Sequence, residues 1–122
     1  TENQISADQD VRNHNETIRK RFRDLLNGYS SEHHQVSWYA DVLKISPDYL
    51  SKIVREYDGT SASTWIHKSM IETAESLLKN PDLSIKEISL RLNFPDQSSF
   101  GRFFKSITGH SPKAFREGLT GR

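Results

Sequence analysis

Apolar residues recur at helical spacing along most of the chain, and the breaks in that spacing mark the ends of short helices. Over Ser84 to Gly109 they fall into two sets: Ile85, Ile88 and Leu92, then Phe100, Phe103, Phe104 and Ile107. Between the sets lies Asn93-Phe94-Pro95-Asp96, where Asn accepts the left-handed conformation at a helix end and Asp caps the helix that follows. Two amphipathic helices joined by so short a turn cross steeply, which predicts a helix-turn-helix.

The pattern occurs a second time. From Val36 to Gly59, the residues Val36, Tyr39, Ala40 and Leu43 mark one short helix. Ser46 and Pro47 cap and start another, with Leu50, Ile53, Val54 and Tyr57 on its inward side and Asp58-Gly59 at its end. Val36, Tyr39 and Leu43 align with Ile85, Ile88 and Leu92 at an offset of 49. Leu50, Ile53, Val54, Arg55 and Gly59 align with Phe100, Phe103, Phe104, Lys105 and Gly109 at an offset of 50. One architecture used twice is the expectation.

Between the copies, Ser61 to Lys79 carries Trp65, Ile66, Met70, Ile71, Ala74, Leu77 and Leu78 on one side and stops at Asn80-Pro81. As one helix it would span about 28 Å, close to the roughly 34 Å of one DNA turn. Ahead of the first copy a helix is expected from Asn13, which with Glu16 resembles a capping box; Ile18, Phe22, Leu25, Leu26 and Tyr29 form its buried stripe. Its basic cluster, Arg19, Lys20, Arg21 and Arg23, reads as a solvated face. Residues 1–13 are polar and without a period, so a disordered linker or tail is expected there. Ser111-Pro112 starts a last helix with Phe115 and Leu119 inward.

Composition narrows the function classes. The chain has 122 residues, no Cys and no apolar run of membrane-spanning length, so disulfides and thiolate metal sites are excluded, no membrane contact by this stretch is expected, and a reducing cytoplasm is the simplest location. The net charge is only +1; residues 1–14 contribute −2 and the remainder +3, so any binding of nucleic acid must rest on a local basic surface. The five His include no pair at zinc-binding spacing, and no glycine-rich phosphate loop or nucleophile elbow is present. Neither catalysis nor a cofactor is expected.

The exposed faces of the second helix in each copy carry the candidate chemistry. With its Phe residues inward, the later helix turns out Ser98, Ser99, Arg102, Lys105 and Ser106, with Gly101 among them holding nothing away. Hydroxyls with Arg and Lys match the groups that reach base edges and phosphates in a major groove.

At this point the residues resemble a known family. Ala74, Leu77 and Leu78, then Ser84, Ile85, Glu87 and Ile88, then Phe94, Asp96, Phe100, Arg102, Phe104 and Lys105, and finally Gly109, Pro112, Phe115 and Arg116 are similar to the pattern of the DNA-binding domain of AraC/XylS-type bacterial transcription regulators. The resemblance covers about residues 16–119. It implies an all-α, homeodomain-like fold over 14–122: seven helices in two helix-turn-helix subdomains, about 36–59 and 84–109, joined by a linker helix over about 61–79. It also implies sequence-specific binding of double-stranded DNA, with base contacts from Asp48, Ser51 and Lys52 in the first copy and Ser98, Ser99 and Arg102 in the second. Arg55 and Lys105, one turn further on, suit phosphate contacts. A sensing or dimerising region ahead of Thr1 is implied too. Asn93 departs from the Gly most often found there, and Asn tolerates the same backbone. A second expectation is a helical module that contacts RNA polymerase or a partner regulator; a transcription activator would do both.

Overall fold

Each break in the hydrophobic period becomes a helix end. The computed structural model describes residues 2–120, with side chains over 6–118, and the described residues hold seven α-helices and no strand. They are α1 (Glu2–Tyr29), α2 (Val36–Leu43), α3 (Pro47–Asp58), α4 (Ala62–Leu78), α5 (Ile85–Arg91), α6 (Gln97–Thr108) and α7 (Pro112–Thr120). The chain divides into two compact units, residues 1–67 and 68–122, with the division inside α4.

The turns within the two copies are built alike. Lys44 (φ 59°) and Asn93 (φ 62°) are left-handed and stand 49 residues apart. In the first turn the N–H groups of Lys44 and Ile45 donate to Asp41 O and Ala40 O; in the second, those of Asn93 and Phe94 donate to Leu90 O and Ser89 O. These bonds satisfy carbonyls that a helix end would otherwise leave open. Lys at the first position was not expected to be left-handed, because its side chain offers no local hydrogen bond there.

In the first unit α1, α2 and α3 pack on one another, burying Ile18, Phe22, Leu26, Tyr39, Leu43, Leu50, Ile53 and Val54. The Phe22 and Tyr39 rings meet edge to face with centroids 5.4 Å apart. Burial pushes the Tyr39 phenol up to about 12, so it stays protonated and donates to His33 O at 2.8 Å. The second unit is centred on phenylalanines. Phe100 and Phe104 are fully buried with Ile88, Leu92 and Leu78, and Phe94, Phe103 and Phe115 pack against them.

The structure departs from the sequence reading in several places. The polar stretch expected as a tail over 1–13 is helical from Glu2, so Asn13 lies inside α1 and caps nothing. It lacks Gly and Pro, and side-chain bonds one turn apart support it, Gln9 to Asn13 at 3.0 Å and Arg12 to Gln9 at 3.3 Å. Tyr29, Tyr57 and Ile107, expected inward, are 45%, 39% and 44% exposed, each standing in the last turn of its helix, at the rim of the core. Linker helix α4 is one residue shorter at each end than expected, with Ser61 capping its start and Arg116 donating to Leu78 O at its close. The inward placing of Leu119 lies outside the described side chains.

Helices α3 and α6 both end on a left-handed glycine, Gly59 (φ 73°) and Gly109 (φ 83°), with open space where a Cβ would stand. Gly101, inside α6, has equally open space and a helical backbone. The same substitution therefore acts in opposite directions: Gly109→Ala should lower stability by about 1–2 kcal/mol, and Gly101→Ala should raise it by about 0.5–1 kcal/mol. Urea unfolding of the two variants beside the parent chain measures both, and equal signs would contradict the backbone argument.

Candidate nucleic-acid interface

Helices α3 and α6 have the same construction, a polar cap, an apolar inward stripe and a polar outward face. Ser46, in an extended conformation, accepts the Tyr49 N–H on its hydroxyl at 3.1 Å, and Pro47 follows as the first helical residue. Asp96 does the same for α6, accepting the Ser99 N–H at 2.7 Å. Inward, α3 buries Leu50, Ile53 and Val54, and α6 buries Phe100 and Phe104. The opposite faces are thereby fixed toward solvent.

All eight residues expected at the interface lie on these outward faces. On α3, Asp48, Lys52 and Arg55 are exposed and Ser51 is half-buried; on α6, Ser98, Arg102 and Lys105 are exposed and Ser99 is half-buried. Asp48, Ser51, Lys52 and Arg55 follow at spacings of three, one and three residues, which keeps them on one side of a helix. At the offset of 50, Lys52 coincides with Arg102 and Arg55 with Lys105. Each helix thus presents two cations one turn apart at the same height. The α3 face adds a carboxylate at Asp48, where α6 has the Ser98 hydroxyl.

Local bonds tune these groups. Arg102 Nη2 lies 3.4 Å from Ser99 Oγ, a long contact that leaves most of the guanidinium's donors facing outward. Ser106 spends its hydroxyl on Phe103 O at 2.7 Å, so it offers less to a partner than its exposure suggests. The Ser99 N–H, then its hydroxyl, and after these Arg102 and the Ser98 N–H hold the Asp96 carboxyl below the usual Asp range, against a smaller rise from desolvation. A residue that the hydrophobic period did not single out is Gln97. It is exposed on the first turn of α6 beside Ser98, and its amide can both donate and accept; its place directly after the cap was the available signal.

No cluster of three or more His, Asp or Glu able to hold a metal occurs among the described residues. Two of the histidines have structural partners instead. His33 stacks on Trp38 with ring centroids 3.7 Å apart, and His34 Nε2 bonds Ser31 O at 3.1 Å. No helix among the described residues is long and apolar enough to cross a membrane.

Comparison with known proteins places this geometry among others. A family model described as a helix-turn-helix domain matches residues 39–118. The chain is 37% identical to the Msm operon regulatory protein of Streptococcus mutans over 68% of its own length and 30% of the relative's. It is 33% identical to the arabinose operon regulatory protein of Salmonella typhimurium over 83% of its own length and 36% of the relative's. The chain thus spans about a third of the curated relatives it matches. Among solved structures, the C-terminal domain of AraT, a response regulator from Geobacillus stearothermophilus, superposes with a TM-score of 0.74 at 31% identity, covering 83% of this chain and 84% of that one. The DNA-binding domain of AdpA, solved in complex with a target DNA, shares the fold with a TM-score of 0.73 at 22% identity, over 86% and 94% of the two chains.

The depressed Asp96 carboxyl stabilises the folded state above the ordinary Asp value of 3.8, and that contribution is lost as pH falls through the lower folded value. Asn caps a helix without titrating. Between about pH 5 and pH 2 the melting temperature of the parent chain should therefore fall more steeply than that of Asp96→Asn. Parallel curves from thermal unfolding across that range would remove the ionised cap from the account.

Proposed function

Because this chain belongs to the AraC-type helix-turn-helix family, we propose that it is the part of a bacterial transcription regulator that binds double-stranded DNA in a sequence-specific way, with α3 and α6 as its two reading helices. The observation that carries this reading is the coincidence of Lys52 with Arg102 and of Arg55 with Lys105 on the exposed faces of two helices, each capped by a side-chain oxygen three residues before the N–H that it accepts.

In this reading Arg102 donates a bidentate pair to a guanine, with Ser98 and Ser99 on a neighbouring base edge or phosphate. Lys52 reaches a guanine or phosphate, and Asp48 accepts from a cytosine amine with Ser51 beside it. Arg55 and Lys105 hold phosphates and set the depth at which each helix sits. The two faces differ in sequence, so one chain reads an asymmetric site of two segments in successive major grooves. No step of catalysis is involved, no cofactor is needed, and the place of action is the cytoplasm.

The wider roles belong to the same proposal, and the chain's span of about a third of its relatives' length is compatible with them. Sensing and dimerisation are assigned to polypeptide beyond it, and contact with RNA polymerase to helix faces left open on DNA, as an activator requires.

Binding to a pool of random duplexes, with selection and sequencing at two salt concentrations, tests the reading. Enrichment of an asymmetric motif with two segments about one turn apart is the expected result. Against the selected duplex, Arg102→Ala should cost about 1–3 kcal/mol and relax preference at one base position. Arg55→Ala should weaken specific and scrambled duplexes alike and reduce the salt slope by about 1. If Arg102→Ala left both kinds of duplex unaffected, α6 would not be a reading helix.

A further inference from the structure

The two copies differ in how the reading helix is held along its outer edge. In the first copy α1 ties α3 at both ends by polar contacts. Tyr49 Oη donates to Asn15 Oδ1 at 2.7 Å near the start of α3. Near its end, Tyr57 Oη donates to Arg12 O at 3.0 Å, and Arg19 pairs with Asp58 at 3.2 Å while its guanidinium lies 5.4 Å from the Tyr57 ring centroid. At the offset of 50 the corresponding positions of α6 are Ser99, Ile107 and Thr108, with no phenol and no carboxylate among them. Ile107 is 44% exposed, and the Thr108 hydroxyl donates to Phe104 O, within its own helix.

The packing beneath the helices accounts for the difference. Helix α6 is keyed by rings: Phe100 lies 5.5 Å from Phe94 and 5.9 Å from Phe104, and Phe104 lies 5.6 Å from Phe115. Flat rings in tilted and edge contacts fit in few orientations. Helix α3 brings only the aliphatic Leu50, Ile53 and Val54 to a core that also holds the Phe22 and Tyr39 rings, and aliphatic side chains fix rotation less sharply than flat rings do. Hydrogen bonds at its edge, which do have direction, therefore add to what restrains rotation of α3 about its axis. Tyr49 stands beside Asp48 and within one turn of Ser51 and Lys52, so the Asn15 contact acts close to the groups that would meet DNA. An open groove of about 570 Å³ between α1 and α3, lined in part by Asp8, Asn15, Tyr49 and Lys52, leaves room for such a rotation.

We propose that Asn15 and Tyr49 are positioning residues for the first reading helix: their hydrogen bond sets the rotation of α3, and with it the base preference of the DNA segment that α3 reads, without either side chain touching DNA. The inference rests on the DNA-reading function above. A binding constellation holds its selectivity within about 10–20°, so loss of one directional restraint is enough to blur it. Because the contact lies on α1, whatever bends or shifts α1 acts through it on the first reading helix.

The test is the random-duplex selection repeated with the whole chain carrying Tyr49→Phe, Asn15→Ala or Asn15→Asp, the last of which keeps an acceptor for the phenol. Tyr49→Phe removes one oxygen atom and leaves the packing in place, so folding is preserved. Preference within the segment read by α3 should fall by about three- to tenfold in Tyr49→Phe and Asn15→Ala. The segment read by α6 should be unchanged, the double variant should lose no more than either single one, and Asn15→Asp should restore the preference. Unchanged preference in both segments would overturn the inference, as would an equal loss over both segments and scrambled duplexes, which would mark a purely structural bond. A parent chain that enriches no motif would instead overturn the DNA-reading function and this inference with it.

Discussion

The left-handed residue that closes the first helix of each copy is the constraint on which the rest depends. Lys44 and Asn93 reverse the chain in one residue, and the N–H groups that follow satisfy the carbonyls of the helix just ended. Only then does the second helix start where a Ser or Asp side chain can cap it, and only at that angle does its apolar stripe meet the same core. The polar outward face is a consequence: with Leu50, Ile53 and Val54, or Phe100 and Phe104, held inward, the residues between them have nowhere to go but solvent.

The low net charge is compatible with two such faces. A chain at +1 is a poor polyanion binder by its total, yet each reading helix concentrates two cations at matching positions while acidic residues elsewhere offset them. Such a distribution limits the sequence-independent part of any affinity and leaves more of it to directed contacts. Arg102, with most of its donors unspent, suits that division better than a dense lysine patch would.

The repeat is not exact, and its departures are informative. Thr64 and Ala114 N–H groups bond the hydroxyls of Ser61 and Ser111 at equivalent places, so the start of α4 does for the first copy what α7 does for the second. The helices diverge in what they bring to their cores, aliphatic side chains from α3 and phenylalanines from α6, and among the described residues the phenols and carboxylate that tie α3 to α1 have no counterpart at the matching positions of α6. Two helices of common design thus differ in their restraints: α3 adds directional bonds to α1, and α6 adds rings of its own to the core.

Much of this was legible in one dimension. The extents of α2, α3, α5 and α6, the caps of α3 and α6, the left-handed Asn93 and the outward faces all follow from the spacing of apolar residues and from side chains that hydrogen-bond within three positions, because those interactions are local. Tertiary structure decided what depends on distant partners. Residues 2–12 have no apolar face to announce a helix, and Arg12 and Asn15 receive their tyrosine hydroxyls from positions 45 and 34 residues further on. The exposure of Tyr57 and Ile107 was likewise invisible, since a period shows which side a residue faces and not how deeply it sits. Lys44 takes a left-handed backbone that its own chemistry does not favour, held there by the bonds of the turn and the burial on either side. Local chemistry settled where the helices begin and end; only their packing settled how firmly, and by what, each one is aimed.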